Sequence, residues 1–594
     1  MDIFLRQSPH PRIHFQGTIY RLFLAVVSLL SFLVPSFGQE IGAYKTRASG
    51  DFHLASTWQV WNGSTWVSPS QKPGSTSDIY IDQGHTVRLL GFESVKSVYL
   101  HAGAGAGQKL NLNSFNLDVY GVLAAFSGPA PGQPRGAWNS QNWIGNSPNS
   151  TLTFKGQSRV IVDKASWSAQ TTQSRFGVIF DPGTGQELTL QAPFKALFFR
   201  VRSGTLYQKN DISSSSSPCY TLSFNTENSI YGSGPFGTFT VEAGATFRSA
   251  CNALLIHRGA STPAFLVEVQ QEATMLLEGQ DPKMESANFR LEGTLIFRGT
   301  QGSINFLGSS FSASAKPSQI RHLVVDGIAD LILPANLVLQ GDLLQMGQGG
   351  FQLAPTQLTL IGEEDQFLNT QTLLLGSLIL QKPAGKVSLA CDLSIYRSLT
   401  MVEGILDFQG HGLALNTSSL GVFVYQDGSW QKLGRFSYFG LPNILTPTSG
   451  TFPFEDLVNG GFRGLQILGP TPAGGNLTID FIEQRGANHD ANFQDVDGTE
   501  ILYQLNSHFK VSVNPNLGQE ELELQLSADS LLLDQVGDLH VVSRGQAAPG
   551  APLPGELSGY PWAKRKLKWS ELFDAEFTIG SYREATVLSL RKQN

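Results

Sequence analysis

The chain has 594 residues, 62 of them glycine, with 15% charged residues and a formal net charge of −7. A mild negative charge with no dense run of Lys or Arg gives no series of phosphate contacts, so nucleic acid is not an expected partner. The length allows several cores or one long solenoid, and three cysteines are too few to staple a small disulfide scaffold.

In chain order, Arg6, Arg12 and Arg21 precede an apolar run from Leu22 to Val34, and small or turn-forming residues follow to Gly38. This layout predicts a secretory signal peptide over residues 1–38, cut near Gly38 or Gln39. The run is shorter than the roughly 20 residues that span a bilayer, and no second candidate follows. The processed chain is therefore expected to have no transmembrane segment. Residues 39–74 are rich in aromatic residues and turns, with Trp58, Trp61 and Trp66 closely spaced. They read as an aromatic cap covering the first rung of a solenoid, whose backbone groups would otherwise invite end-to-end association. Carbohydrate stacking by the three tryptophans is the sharper alternative. His85, at a turn before an apolar strand, reads as a structural hydrogen-bonding residue, with a catalytic or metal role as the alternative.

Residues 75–418 carry short apolar alternations punctuated by Gly, Ser, Asn and Pro, which predict many short strands and little helix. A repeat compares Leu323–Leu360 with Leu378–Leu415 at an offset of 55 or 56 residues, by subtraction. Leu323 and Val325 match Leu378 and Leu380, Leu337 and Leu339 match Leu393 and Ile395, and Leu358 and Leu360 match Leu413 and Leu415. The phase is kept within each phrase, where a one-residue slip would turn every side chain to the other face. The phrase apolar-x-apolar-x-Gly-x-Leu also occurs at Leu117–Leu123 and Phe289–Leu295. Such units cannot close their own cores and must stack, which predicts a right-handed parallel β-helix, with a propeller as the rival.

After about Ser419 the phrase disappears, and longer amphipathic stretches such as Leu477–Ile482 and Leu522–Leu526 predict an antiparallel β-sandwich over residues 419–582, followed by a tail at 583–594. Gln546–Gly555 reads as a Pro/Gly linker within it. Asp490, Asp495 and Asp497, with Glu500 and Gly498 in the same turn, form a candidate structural calcium loop, with a plain solvated loop as the alternative. Lys564, Arg565, Lys566 and Lys568 read as a solvated strand face or loop. Cys219 and Cys251 are the nearby cysteine pair, open to a disulfide or to two buried thiols.

Parallel β-helices also host polysaccharide lyases and glycoside hydrolases, whose catalysis gathers carboxylates on one face. From Leu323 to Leu415 the acids are Asp326, Asp330, Asp342, Glu363, Glu364, Asp365, Asp392, Glu403 and Asp407. They do not repeat in register, so they read as solvated loop or edge charges and no catalytic residue is assigned.

Ala55-Ser56-Thr57-Trp58, Trp61-Asn62-Gly63, Trp66, Pro73 and Ile79 through Val87, with the tandem phrase and the closing Glu576-Phe577-Thr578-Ile579-Gly580, resemble large secreted surface proteins of Bacteroidetes-type bacteria. The resemblance covers most of the processed chain. It implies export to the cell surface or medium, a β-helical stalk and an adhesin-like role. Many such proteins end in a further sorting domain for the type IX secretion route; only a short tail follows Gly580 here, which departs from that pattern. Gly84-His85-Thr86-Val87 also resembles the start of the glycine-rich all-β G8 module of some extracellular, polysaccharide-associated proteins. The sequence thus points to an exported, non-enzymatic interaction protein that binds a glycan or a protein partner. A polysaccharide-active β-helix enzyme is the alternative.

Overall fold

The computed structural model describes residues 40–582 except 102–108, 127–143, 146–148, 157–158, 161–175, 191–193, 210–219, 225–236, 253, 258–264, 281, 285–287, 301–302, 306–317, 353–355, 417–421, 473, 514–517 and 534. The expected signal peptide, the tail and Cys219 lie outside the described residues. The chain is all-β and forms a β-solenoid of about sixteen turns. No helix among the described residues is long and apolar enough to cross a membrane.

Three parallel ladders build the solenoid, because each short strand buries its inward side chains on the strand one turn away. On the first face Val95, Val119, Phe154, Phe180, Val201, Val241 and Val269 stack in register. Leu291, Ile320, Leu339, Leu360, Leu380 and Met401 continue that column. On the second face Leu206, Phe247, Met275, Leu295, Leu323, Leu343, Leu368 and Leu389 do the same. The third face is made in sections, among them Leu373, Leu393, Leu413 and Phe436. Residues in the Ile320–Met401 part of the first column are at most 1% exposed. Each full burial of this kind stabilises by about 1.5 to 3 kcal/mol relative to exposure.

The register corrects the expected repeat unit. Leu323 belongs to the second face, paired with Leu295 and Leu343, whereas Leu378 belongs to the first, paired with Leu358 and Leu399. Likewise Leu337 lies on the first face and Leu393 on the third. The 55-residue offset therefore equals two turns plus two faces, not whole turns. One turn here is 20 or 21 residues, as from Leu339 to Leu360 to Leu380 to Met401. All three faces carry the same alternating phrase, so a match between different faces keeps the inward phase while missing the stacking partner.

Most carboxylates of this region are exposed or half-exposed, as expected of loop and edge charges, but several also bond the next turn, and Asp407 is buried. Asp330, Asp365 and Asp392 each accept a backbone N–H one turn ahead, from Gly350 at 2.8 Å, Lys386 at 2.9 Å and Gly412 at 2.7 Å. Asp407 is 1% exposed and pairs with Lys386 at 2.8 Å and Lys432 at 3.6 Å. Farther back, Glu187, Arg248, Glu278, Arg298 and Asp326 form an alternating ion chain along the solenoid, with separations of 3.5, 2.9, 3.6 and 2.6 Å, the first link reaching past the turn that carries Thr205–Gln208. These acids clasp one turn to the next.

At the amino-terminal end Tyr44–Thr46 pairs in parallel with Asp78–Ile81 but antiparallel with Trp58–Trp61. Trp58 is buried and donates its indole N–H to the Phe52 carbonyl at 2.8 Å. At the other end parallel pairing continues past Ser419 to Arg435–Phe439, and the next partner of that strand, Asn476–Ile482, is antiparallel. Phe423, Trp430, Phe436, Phe452, Phe454 and Phe509 join the solenoid interior to the antiparallel region in one core. One antiparallel ladder runs through Asn476–Ile482, His508–Val513 and Ala575–Ser581, and another through Leu465–Pro470, Glu521–Ser527 and Tyr560–Lys568. The Pro/Gly segment read as a linker partly forms strand Ala551–Ser558, whose register shifts between Leu553 and Glu556. Its prolines are tolerated because strands with one open edge need not donate every N–H.

Candidate functional site

The third face stays open where the solenoid meets the antiparallel region. Because side chains alternate along each strand, every inward residue there is flanked by outward ones. Leu374, Ser394, Ala414 and Ser437 form one outward row across parallel strands, and Thr478 and Ser512 extend it across antiparallel ones. A groove of roughly 480 Å³ lies over the Ser394, Ala414 and Ser437 part of this row, lined by these residues with Asp392, Gly412 and Arg435 among others. Two hydroxyls, those of Ser394 and Ser437, line it two strand spacings apart, about 9.6 Å, with Ala414 between them.

The rim is polar on one side. Arg435 donates two hydrogen bonds to Asp480, at 2.8 and 2.9 Å, so this carboxylate is already committed. Asp392 keeps 77% of its side chain exposed, although one oxygen accepts the Gly412 N–H and His411 stands 3.7 Å away. Phe439, two positions along from Ser437, is 41% exposed. The arrangement presents two serine hydroxyls and one open carboxylate in the groove, with a partly exposed aromatic side chain nearby. Glu483 has its proton affinity raised, chiefly by burial, and it accepts the Leu457 N–H at 2.6 Å.

The residues singled out in the sequence are placed as follows. Asp490, Asp495 and Asp497 do not converge, and among the described residues no three His, Cys, Asp or Glu side chains are grouped to hold a metal ion. Asp495 is buried and takes two hydrogen bonds from Arg565 at 2.9 Å each, with His540 Nδ1 3.0 Å away. Burial alone would raise its pKa, but the hydrogen bonds from His540 and Arg565 overcome this and hold the carboxyl far below the usual range. Asp497 accepts the Thr499 N–H at 3.0 Å in an exposed turn, and Asp490 pairs with the Asn492 amide. Arg565, read as part of a solvated basic cluster, is fully buried, whereas Lys564 and Lys566 pair with Glu523 and Glu521 at 2.8 and 2.7 Å.

His85 Nδ1 lies 2.9 Å from the Thr46 hydroxyl, a bond between the first turn and the cap. Trp58 is core, while Trp61 and Trp66 are half-buried with ring centroids 5.4 Å apart. Cys251 is disulfide-bonded and Cys391 is a free, buried thiol 3.3 Å from the Thr370 hydroxyl. The groove residues escaped the sequence reading because Ser394, Ala414 and Ser437 are ordinary outward residues of three separate strands. Their alignment shows only once the turns are stacked. No protein-family model, curated protein or solved structure matches the chain.

Proposed function

We propose that the chain is an exported surface or extracellular interaction protein, adhesin-like in the manner of the Bacteroidetes-type proteins it resembles. In this reading a right-handed β-solenoid serves as a stiff spacer, and the two antiparallel ladders are the sheets of a terminal β-sandwich. The groove at their junction grips an extended glycan, with a protein segment of similar shape as the competing ligand.

The observation that carries this reading is the open row Ser394, Ala414, Ser437 and Thr478 continuing unbroken across the junction. A linear polymer lying along it meets the hydroxyls of Ser394, Ser437 and Thr478 with the small Ala414 between the first two, and the adjoining solenoid supplies rigidity through clasps such as Asp392 to Gly412. Dispersed, engaged carboxylates favour binding over the alternative of a polysaccharide lyase or hydrolase, which needs converging ones.

The test is incubation of the purified chain with a glycan array and a polysaccharide panel, scoring retention and product release separately. Retention without release, lost in Ser437→Trp, is the expected result. Release of shortened products would replace this reading with the enzymatic one, and undiminished retention by Ser437→Trp would remove the groove from it.

A further inference from the structure

We infer that the glycan held in the junction groove carries free, protonated amines, and that one of them sits on Asp392 in the notch left by Gly412. This rests on the glycan-binding reading above and names the class of glycan.

The charge pattern around the groove points to a cation. Outward residues at one position of the third face, and of the antiparallel ladder that continues it, run Asp392, Gly412, Arg435, Asp480, Lys510 and Glu576 on successive strands. Charge alternates along this column except at Gly412. Arg435 is matched by Asp480 at 2.8 and 2.9 Å, and Lys510 by Asp574 at 3.1 Å. Asp392 instead faces a glycine, and the strand carrying Arg435 lies two spacings away, about 9.6 Å.

Neither the backbone nor the packing demands that glycine. Its φ lies outside the left-handed region, and an added Cβ would come no closer than 3.5 Å to Asp392 or to the Arg435 carbonyl, an ordinary contact. A side chain would fit there, and it would fill the groove that Gly412 helps to line.

Asp392 is held in place and left open at the same time. Its Oδ1 accepts the Gly412 N–H at 2.7 Å, which fixes the carboxylate, while its Oδ2 has no partner among the described residues and the side chain is 77% exposed. His411 Nδ1, 3.7 Å from Oδ1, is beyond hydrogen-bond reach. An ammonium group in the notch makes a charge-assisted hydrogen bond to Oδ2, and the hydroxyls of the same sugar chain meet Ser394 and Ser437 in the next column. A uronate would bring like charge to Asp392. A neutral or N-acetylated sugar has no charge to offer it.

Calorimetric titration of the full chain with a glucosamine hexasaccharide, its N-acetylated form and cellohexaose tests this. The first is expected to bind about three- to tenfold more tightly than the other two, a margin set by one partly solvated ion pair that should shrink in 1 M salt. Asp392→Asn keeps an acceptor for the Gly412 N–H but removes the charge, and Gly412→Lys seats an ammonium of the chain's own beside Asp392. Each should erase the margin with unchanged far-ultraviolet circular dichroism. Equal binding of all three sugars, abolished by Ser437→Trp, would overturn the amine and leave the groove reading standing. A margin that survives Asp392→Asn would reduce it to general attraction by an acidic chain and overturn the assignment to Asp392. A hexapeptide of lysine bound as tightly as the glucosamine hexasaccharide, and as sensitive to Asp392→Asn, would put a protein segment in place of the sugar. No binding of any of the three sugars would remove the groove reading and this inference with it.

Discussion

Replacing Asp495 with asparagine separates two roles for one carboxylate. The side chains of Asp495 and Arg565 are both 0% exposed, and two of the guanidinium's bonds end on this carboxylate. Arg565 also donates to the carbonyls of Val541 at 2.9 Å and Pro549 at 2.6 Å, so the substitution removes its counter-ion without removing all its acceptors. Breaking a buried pair from one side typically costs about 3 to 5 kcal/mol. Urea unfolding followed by tryptophan fluorescence reads this, with Trp562 and Trp569 flanking the same strand. Adding Arg565→Met to Asp495→Asn should recover much of the loss, because a packed apolar side chain no longer needs a counter-ion.

The pH dependence has a definite sign. Since the folded pKa of Asp495 is depressed, its contribution is complete above the unfolded value of about 3.9 and is lost as pH falls below it. Asp495→Asn should flatten that acid limb. Destabilisation under about 1 kcal/mol would refute the assignment of Asp495 to Arg565. So would a loss mimicked in the parent chain by chelator and reversed by calcium, which would favour the cation loop instead.

Leu360→Ala, at a 0% exposed position between Leu339 and Leu380, should cost about 2 to 5 kcal/mol by the same unfolding assay. Gly428→Ala should lower the thermal midpoint by an amount matching about 1 to 3 kcal/mol: Gly428 has φ +99°, and an added Cβ would stand 2.1 Å from the Gly404 carbonyl oxygen. Glu278→Gln, between Arg248 and Arg298, should cost only about 1 kcal/mol or less, and the difference should shrink in 1 M salt because these ion pairs are partly solvated.

Much of the fold was legible because the inward-outward alternation of a strand is a local property. The strands at Leu477–Ile482 and Leu522–Leu526 appear within Asn476–Ile482 and Glu521–Ser527 for that reason. The sites were less legible. Asp495 sits in an acidic, glycine-bearing turn that looks solvated in sequence, and its partner Arg565 is 70 residues away among lysines. Only the antiparallel pairing brings the strand carrying Arg565 across that turn.

Residue order alone determined that the solenoid's side chains alternate, which of them point inward, and that short aliphatic strands must stack. Tertiary structure decided which strand lies on which, since three faces share one phrase and nothing local tells Leu323 that its neighbour is Leu343 and not Leu378. The physical reason is turn length: corners of different size set how many residues complete one circuit, and the stacking of whole turns then selects the partner, the outward row at the junction and the carboxylate clasps.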